Sequence, residues 1–210
     1  MQRGLIVLAI GLLGLITLTA AAQQTAGNRD ALQNLLVNEK EVQTALGSDW
    51  SLKAQVDVSK EPPNSITAAL IYGNGQTSLL TVLYQFNQES QAHDFFATPF
   101  TDEDKILSRD QAEAINEAFK VGQSQGAAEA YLIKIRTGER EALSDDGQQW
   151  VLRFRVGRLV ASFSAQICIP AHPDPTTGAP IDYQCFNETQ LHDGLVKVGQ
   201  KQLAILFTGH

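Results

Sequence analysis

Residues 66–86, ITAALIYGNGQTSLLTVLYQF, decide the fold. Ile66 to Tyr72 and Thr77 to Phe86 are two apolar, β-prone runs separated by Gly73-Asn74-Gly75-Gln76. Asn-Gly tolerates the positive φ angles of a type I′ turn, so the spacing predicts an antiparallel hairpin. Leu79 and Leu83 fall on one face, and Leu80, Val82 and Tyr84 on the other. Strands apolar on both faces belong in the middle of a sheet. Upstream, Trp50 to Val58 alternates Trp50, Leu52, Ala54, Val56 and Val58 with Ser51, Lys53, Gln55 and Asp57, predicting a strand with one buried and one wet face. Lys60 to Asn64, with two prolines, reads as a loop.

Downstream, Tyr131–Arg136, Trp150–Val156 and Leu159–Cys168 read as three more strands, the last two joined by Gly157-Arg158. Helical periodicity fills the rest. Asn28 to Gly47 presents Leu32, Leu35, Leu36, Val42 and Leu46, with Asp30 as N-cap, Gly47 as C-cap and a break near Asn38. Asn87 caps a helix to about Ala97, which buries Ala92, Phe95 and Phe96. A polar, acidic connection follows from Thr98 to Lys105. Ser108 and Gln111 then fit a capping box opening a helix to about Phe119. Asn187 or Thr189 caps a last helix to about Phe207, with a stripe of Leu191, Leu195, Val198, Leu203 and Leu206. Within it, Gly194 and Gly199 each cost about 1 kcal/mol relative to Ala. The order is helix, three strands, helices, three strands, helix. It predicts an α+β domain: an antiparallel sheet of about six strands in two three-strand groups, with N-terminal, central and C-terminal helices packed on it.

The first 22 residues set the expected compartment. Arg3 is a positive n-region, Leu5 to Leu18 is an uncharged apolar run, and Ala20 and Ala22 occupy the A-x-A positions of a signal-peptidase site. The competing reading is an uncleaved anchor, since residues 4–22 are long enough to cross a bilayer and would hold the protein near a membrane. No cysteine near the end of this leader offers a lipid attachment point. The expected organisation is a signal peptide over 1–22 and one domain over 23–210. Arg3 is the leader's single charge, so the mature chain has one cation fewer than the full chain's 16, against 23 acids, a formal charge of −8. Such a field repels polyphosphate and argues against nucleic acid as a partner. Cys168 and Cys185 are the two cysteines. In an oxidising compartment an isolated pair is most simply a disulfide, closing a segment with four prolines and stabilising by about 3 kcal/mol.

With Leu46-Gly47-x-x-Trp50 leading into the first strand, this element order and the terminal helix make the chain resemble small exported α+β domains of bacterial envelope and thylakoid proteins, the PsbP-like and extracytoplasmic sensor-like group. The two halves form a loose βββα repeat in element order. The resemblance implies a binding or accessory role and carries over no catalytic motif.

Several motifs look chemical. Gly122-Gln123-Ser124-Gln125-Gly126 matches the G-x-S-x-G nucleophile elbow, and Asp174 or Asp182, then His192, would complete a Ser, Asp, His order. The elbow needs a strand before the serine and a helix after it; here the order is reversed, and a flexible Gly/Ser/Gln connection is the simpler reading. His172-Pro173-Asp174 spells the J-domain tripeptide but lies in a proline-rich loop. The four histidines, His93, His172, His192 and His210, have no i, i+4 spacing, so no metal and no cofactor are expected. Asp102-Glu103-Asp104 lacks the glycine of a calcium loop. Asn187-Glu188-Thr189 is a glycosylation sequon.

The most suggestive surface is basic. Lys134, Arg136, Arg153, Arg155 and Arg158 fall within 25 residues. If the strands carrying the first four pair, alternation predicts that those four share a sheet face fit for an anionic ligand or an acidic partner. The expected function is a non-enzymatic binding or accessory domain of the cell envelope, exported to the periplasm, the exterior or an outward-facing anchored position. Its partner would be an envelope protein or a small anionic ligand. The alternative is a secreted serine hydrolase using Ser124, Asp174 and His192.

Overall fold

A computed structural model describes residues 28–58, 61–97, 105–109, 119, 129–136, 148–173 and 180–208. The expected helix at 28–47 is broken as predicted. Residues 28–33 form α1 and Glu39–Leu46 form α2. Asn38 is the N-cap of α2: its Oδ1 accepts from the Glu41 amide at 3.1 Å, and Glu41 returns a carboxylate to the Asn38 amide at 2.9 Å. This reciprocal pair satisfies two of the amides that any helix start leaves open. Asp30, expected as the cap of α1, instead lies inside its first turn.

Seven strands form one antiparallel sheet: β1 (Ser51–Val56), β2 (Ser65–Gly73), β3 (Ser78–Phe86), β4 (Lys105–Arg109), β5 (Glu129–Arg136), β6 (Gln148–Val156) and β7 (Leu159–Gln166). Their order across the sheet is β1-β2-β3-β7-β6-β5-β4. The two expected three-strand groups therefore join at β3–β7, and the fold class is the α+β architecture read from the sequence. The seventh strand is β4. Ser108, expected to cap a helix, pairs with Lys134 in the β4–β5 ladder instead.

The decisive hairpin forms, with Gly73 opposite Ser78. Its connection differs from the two-residue turn expected. Only Gly75 has a positive φ within it, and Asn74 Oδ1 accepts from the Gln76 and Thr77 amides at 2.9 and 3.0 Å. The Asn side chain thus closes a longer loop, the local competition with regular turns that short polar side chains introduce.

β1 departs from the alternation read in it. It is the sheet edge, a register shift lies between Leu52 and Ala54, and Leu52 is 45% exposed. Such a bulge re-aims the side chains that follow it. The edge is not left open to another strand. Glu39 accepts from the Leu52 amide at 2.7 Å and Gln43 donates to the Trp50 carbonyl at 2.9 Å, so α2 occupies polar groups along it.

α3 (Glu89–Ala97) and α4 (Glu188–Thr208) complete the chain. Gln88, rather than Asn87, supplies the first carbonyl of α3, and its amide donates to Gln91 at 3.2 Å. Asn187 caps α4, accepting from the Gln190 amide at 3.0 Å. The main core lies between α1, α2 and α4 and one sheet face, where Leu191, Leu195, Val198, Leu203 and Leu206 meet Leu79, Leu83, Leu132, Leu152, Phe154 and Phe163. The two helix glycines that looked costly are close-approach points. A Cβ on Gly194 would fall 2.1 Å from Leu46 Cδ2, and one on Gly199 would fall 2.4 Å from Leu152 Cδ2.

A buried Gln202 ties this layer together. Its Oε1 accepts from the Val37 amide at 3.0 Å and its Nε2 donates to the Leu35 carbonyl at 2.6 Å, while Tyr72 donates to the Val37 carbonyl at 2.6 Å. Leu36 and Val37 in the α1–α2 connection are buried, so the backbone there needs such partners. The opposite sheet face carries α3 and the smaller clusters around Phe86, Ala92 and Val160 and around Ile133, Ile135 and Val151.

The proline-rich segment is not a plain loop. β8 (Cys168–Pro173) and β9 (Pro180–Cys185) form a separate two-stranded ladder in which Cys168 stands directly opposite Cys185. Antiparallel partners lie about 4.5–5.5 Å apart at Cα, within the span a disulfide bridges. No helix among the described residues is long and apolar enough to cross a membrane. Residues 1–22, expected as a leader, lie outside those residues.

Candidate functional site

The β5–β6 register separates the cations that alternation was expected to gather. Lys134 is opposite Trp150 and Arg136 opposite Gln148, whereas Tyr131 is opposite Arg153 and Glu129 opposite Arg155. Directly opposed residues share a face. Lys134 therefore lies on the Trp150 side, with α4, and pairs with Glu188 at 3.0 Å. The side chain of Arg136 lies outside the described residues. Arg153 and Arg155 share the other face, under α3. Alternation within each strand was read correctly; the relation between the strands was not.

On the α3 side the two arginines differ sharply. Arg155 is held in ion pairs: Nε donates to Glu129 Oε2 at 2.7 Å, and Nη1 donates to Glu89 Oε1 at 3.0 Å and to the Gly157 carbonyl at 3.1 Å. His93 Nδ1 stands 3.3 Å from the same Glu129 oxygen. Burial pushes the Glu129 carboxyl up, but hydrogen bonds from Arg155 and His93, with their charges, outweigh it and hold the group below the usual carboxylate range. For Arg155, burial acts against the charged form, and the bonds to Glu129 and Glu89 reverse that and raise it. Arg155 thus clips α3, through Glu89, to β5 and β6. Arg158 is exposed in the β6–β7 turn, its Nη1 3.5 Å from the Asn87 carbonyl.

Arg153 is 8% exposed. Its guanidinium carbon sits 4.9 Å over the Phe95 ring, a cation–π contact. In register it is flanked by Tyr131 on β5 and the buried Ser162 on β7. Among the described residues nothing hydrogen-bonds to its buried Nε or Nη1. The same face holds Thr67, whose buried Oγ1 also lacks a partner among the described residues, and Tyr84, opposite Thr67. Burial pushes the Tyr84 phenol up, and the Arg153 charge partly opposes that; the hydroxyl stays a donor at neutral pH. Tyr84 and Phe96 make tilted ring contacts with Phe95 and Tyr131 respectively, at 4.8 and 5.1 Å between centroids. The arrangement is a buried cation with open donors inside an aromatic surround. A group like that requires an acceptor, because an unpaired buried charge is strongly unfavourable.

The remaining sequence candidates do not converge. Ser124 and Asp174 lie outside the described residues, as does the side chain of Asp182. His192 is half-buried on α4, edge-on to Trp150 at 5.0 Å, with Nδ1 3.0 Å from Asp193 Oδ1. Among the described residues no group of three His, Cys, Asp or Glu could hold a metal ion. Sequence reasoning missed the Glu89–Arg155–Glu129–His93 cluster, because its members come from three separate elements with no shared motif.

Neither a protein-family model nor a curated protein matches the chain. Among solved structures, the extracellular domain of PknH from Mycobacterium tuberculosis is similar over 83% of this chain and 95% of that one, with 11% identity and a TM-score of 0.47.

Proposed function

We propose that the chain is an exported, non-enzymatic binding or accessory domain of the cell envelope, and that it receives an anionic ligand on the α3 side of its sheet, at Arg153. The observation that carries the binding reading is the buried Arg153, whose Nε and Nη1 have no hydrogen-bond partner among the described residues. The sequence pattern supports export: Arg3, the apolar run to Leu18 and the Ala20/Ala22 site. A Cys168–Cys185 bridge belongs to the same reading, since the two cysteines oppose each other in register and a structural disulfide persists outside the reducing cytosol. Of the five cations expected to form the site, Lys134 and Arg155 are held in ion pairs, Arg158 is exposed in a turn and the side chain of Arg136 lies outside the described residues, which leaves Arg153 as the buried centre.

Thermal melts of the mature protein in acetate, phosphate and sulfate, at ionic strength matched with chloride, test the binding reading. At least one anion is expected to raise the melting temperature of wild type and not of Arg153→Met. If none does, the site is wrong. Intact mass of the chain recovered from its host tests export. The expected species begins at Gln23, or retains residues 4–22 as an anchor, and is two hydrogens lighter than the dithiol. A full-length cytosolic chain with both thiols reduced would overturn the export reading.

A further inference from the structure

Resting on the anion-site reading, we infer that the ligand at Arg153 is a monocarboxylate with an apolar body. The local charge count comes first. Arg155 is balanced by Glu129 and Glu89, so among the described residues the buried cation under α3 that has no carboxylate partner is Arg153. A phosphate monoester, close to a dianion at neutral pH, would be half-neutralised there, with the Glu129 carboxylate one row along the same sheet face.

Geometry comes next. The guanidinium carbon sits 4.9 Å over the Phe95 ring, so that ring closes one approach to the fork. A carboxylate carries one charge, as the group it would meet does, and accepts guanidinium donors with its two oxygens. Tyr84 adds a neutral hydroxyl donor. The third observation is the surround: Phe95, Phe96, Tyr84 and Tyr131 present rings rather than further charges. A ligand reaching Arg153 displaces water from apolar surface, and an apolar body gains from that contact, about 25 cal/mol for each square ångström buried.

Calorimetric titration of the mature protein with octanoate, phenylacetate, octanamide and octyl phosphate tests this directly. The two acids are expected to bind saturably and octanamide at least tenfold more weakly. Arg153→Gln and Arg153→Lys should each lose tenfold or more for octanoate, the lysine variant because it keeps the charge but not the planar fork. Circular dichroism of both variants checks that they are folded, and Arg153→Met serves as a second neutral variant. Equal binding of octanamide would reduce the site to an apolar groove and overturn the inference. Octyl phosphate binding more tightly than octanoate, lost in Arg153→Gln, would leave the anion site standing and refute the carboxylate. Octanoate binding unchanged in all three variants would refute both.

Discussion

Replacing Arg153 by Met should stabilise the protein. Arg153 is 8% exposed, and its Nε and Nη1 lack partners among the described residues. Each buried, unsatisfied donor costs about 1–3 kcal/mol. The Phe95 contact returns about 1–2 kcal/mol when desolvated. Methionine keeps much of the aliphatic stem, fills irregular space and packs well against rings. The balance favours Met by about 2 kcal/mol, a rise of about 4–8 °C in a domain of 150–250 residues. Differential scanning calorimetry, with urea unfolding for the free energy, measures it. Arg155→Met is the control. It removes the contacts to Glu129 and Glu89 that fasten α3, and its melting temperature should fall. A loss of more than about 1 kcal/mol in Arg153→Met would mean that the guanidinium is compensated in solution, and the reasoning behind the site would fail with it.

Other substitutions test the packing that presents this face. Gly194→Ala should destabilise by about 1–3 kcal/mol in urea unfolding despite the better helix former, because the new methyl meets Leu46. Gln202→Leu leaves the Val37 amide and Leu35 carbonyl buried without their partner and should cost about 2–5 kcal/mol, read the same way. Burial, with Glu39 and Glu41 adding to it, pushes the Tyr72 phenol up to about 12 from its ordinary 10.0. Because the folded-state value is the raised one, its contribution is intact below pH 10 and is lost as pH climbs from 10 towards 12. Wild type should therefore lose more stability than Tyr72→Phe over that interval. Glu129 has the opposite sign: its lowered value contributes above the ordinary carboxylate range and fades on acidification, so Glu129→Gln should flatten the acid limb of the pH–stability curve.

What could be read beforehand follows from locality. The 66–86 hairpin, the break at Asn38 and the stripe on α4 are each written in a few adjacent residues, and each is found in the fold. β4 was missed because Lys105–Arg109 carries only a short, mixed signal and is made a strand by pairing with β5. β1 was over-read: five alternating positions suggested a buried face, yet the bulge after Leu52 and its place at the edge leave it exposed. For the candidate site, alternation placed Arg153 and Arg155 together correctly. Whether they would meet Lys134 depended on the β5–β6 register, which no local pattern encodes. The same limit hid the difference between the two arginines. Glu89 on α3 and Glu129 on β5 neutralise Arg155, while Arg153, two residues away along the strand, meets Phe95.

The most direct measurement is arginine-selective NMR of the guanidinium Nε–H groups in the mature protein, with the Arg153 resonance assigned by its absence from Arg153→Met. On addition of octanoate that resonance should shift and its exchange with water should slow, while the Arg155 resonance, already bound to Glu129, stays in place. An Arg153 signal that does not respond at saturating acid, or a response confined to Arg155 or Arg158, would contradict a ligand seated on the buried guanidinium.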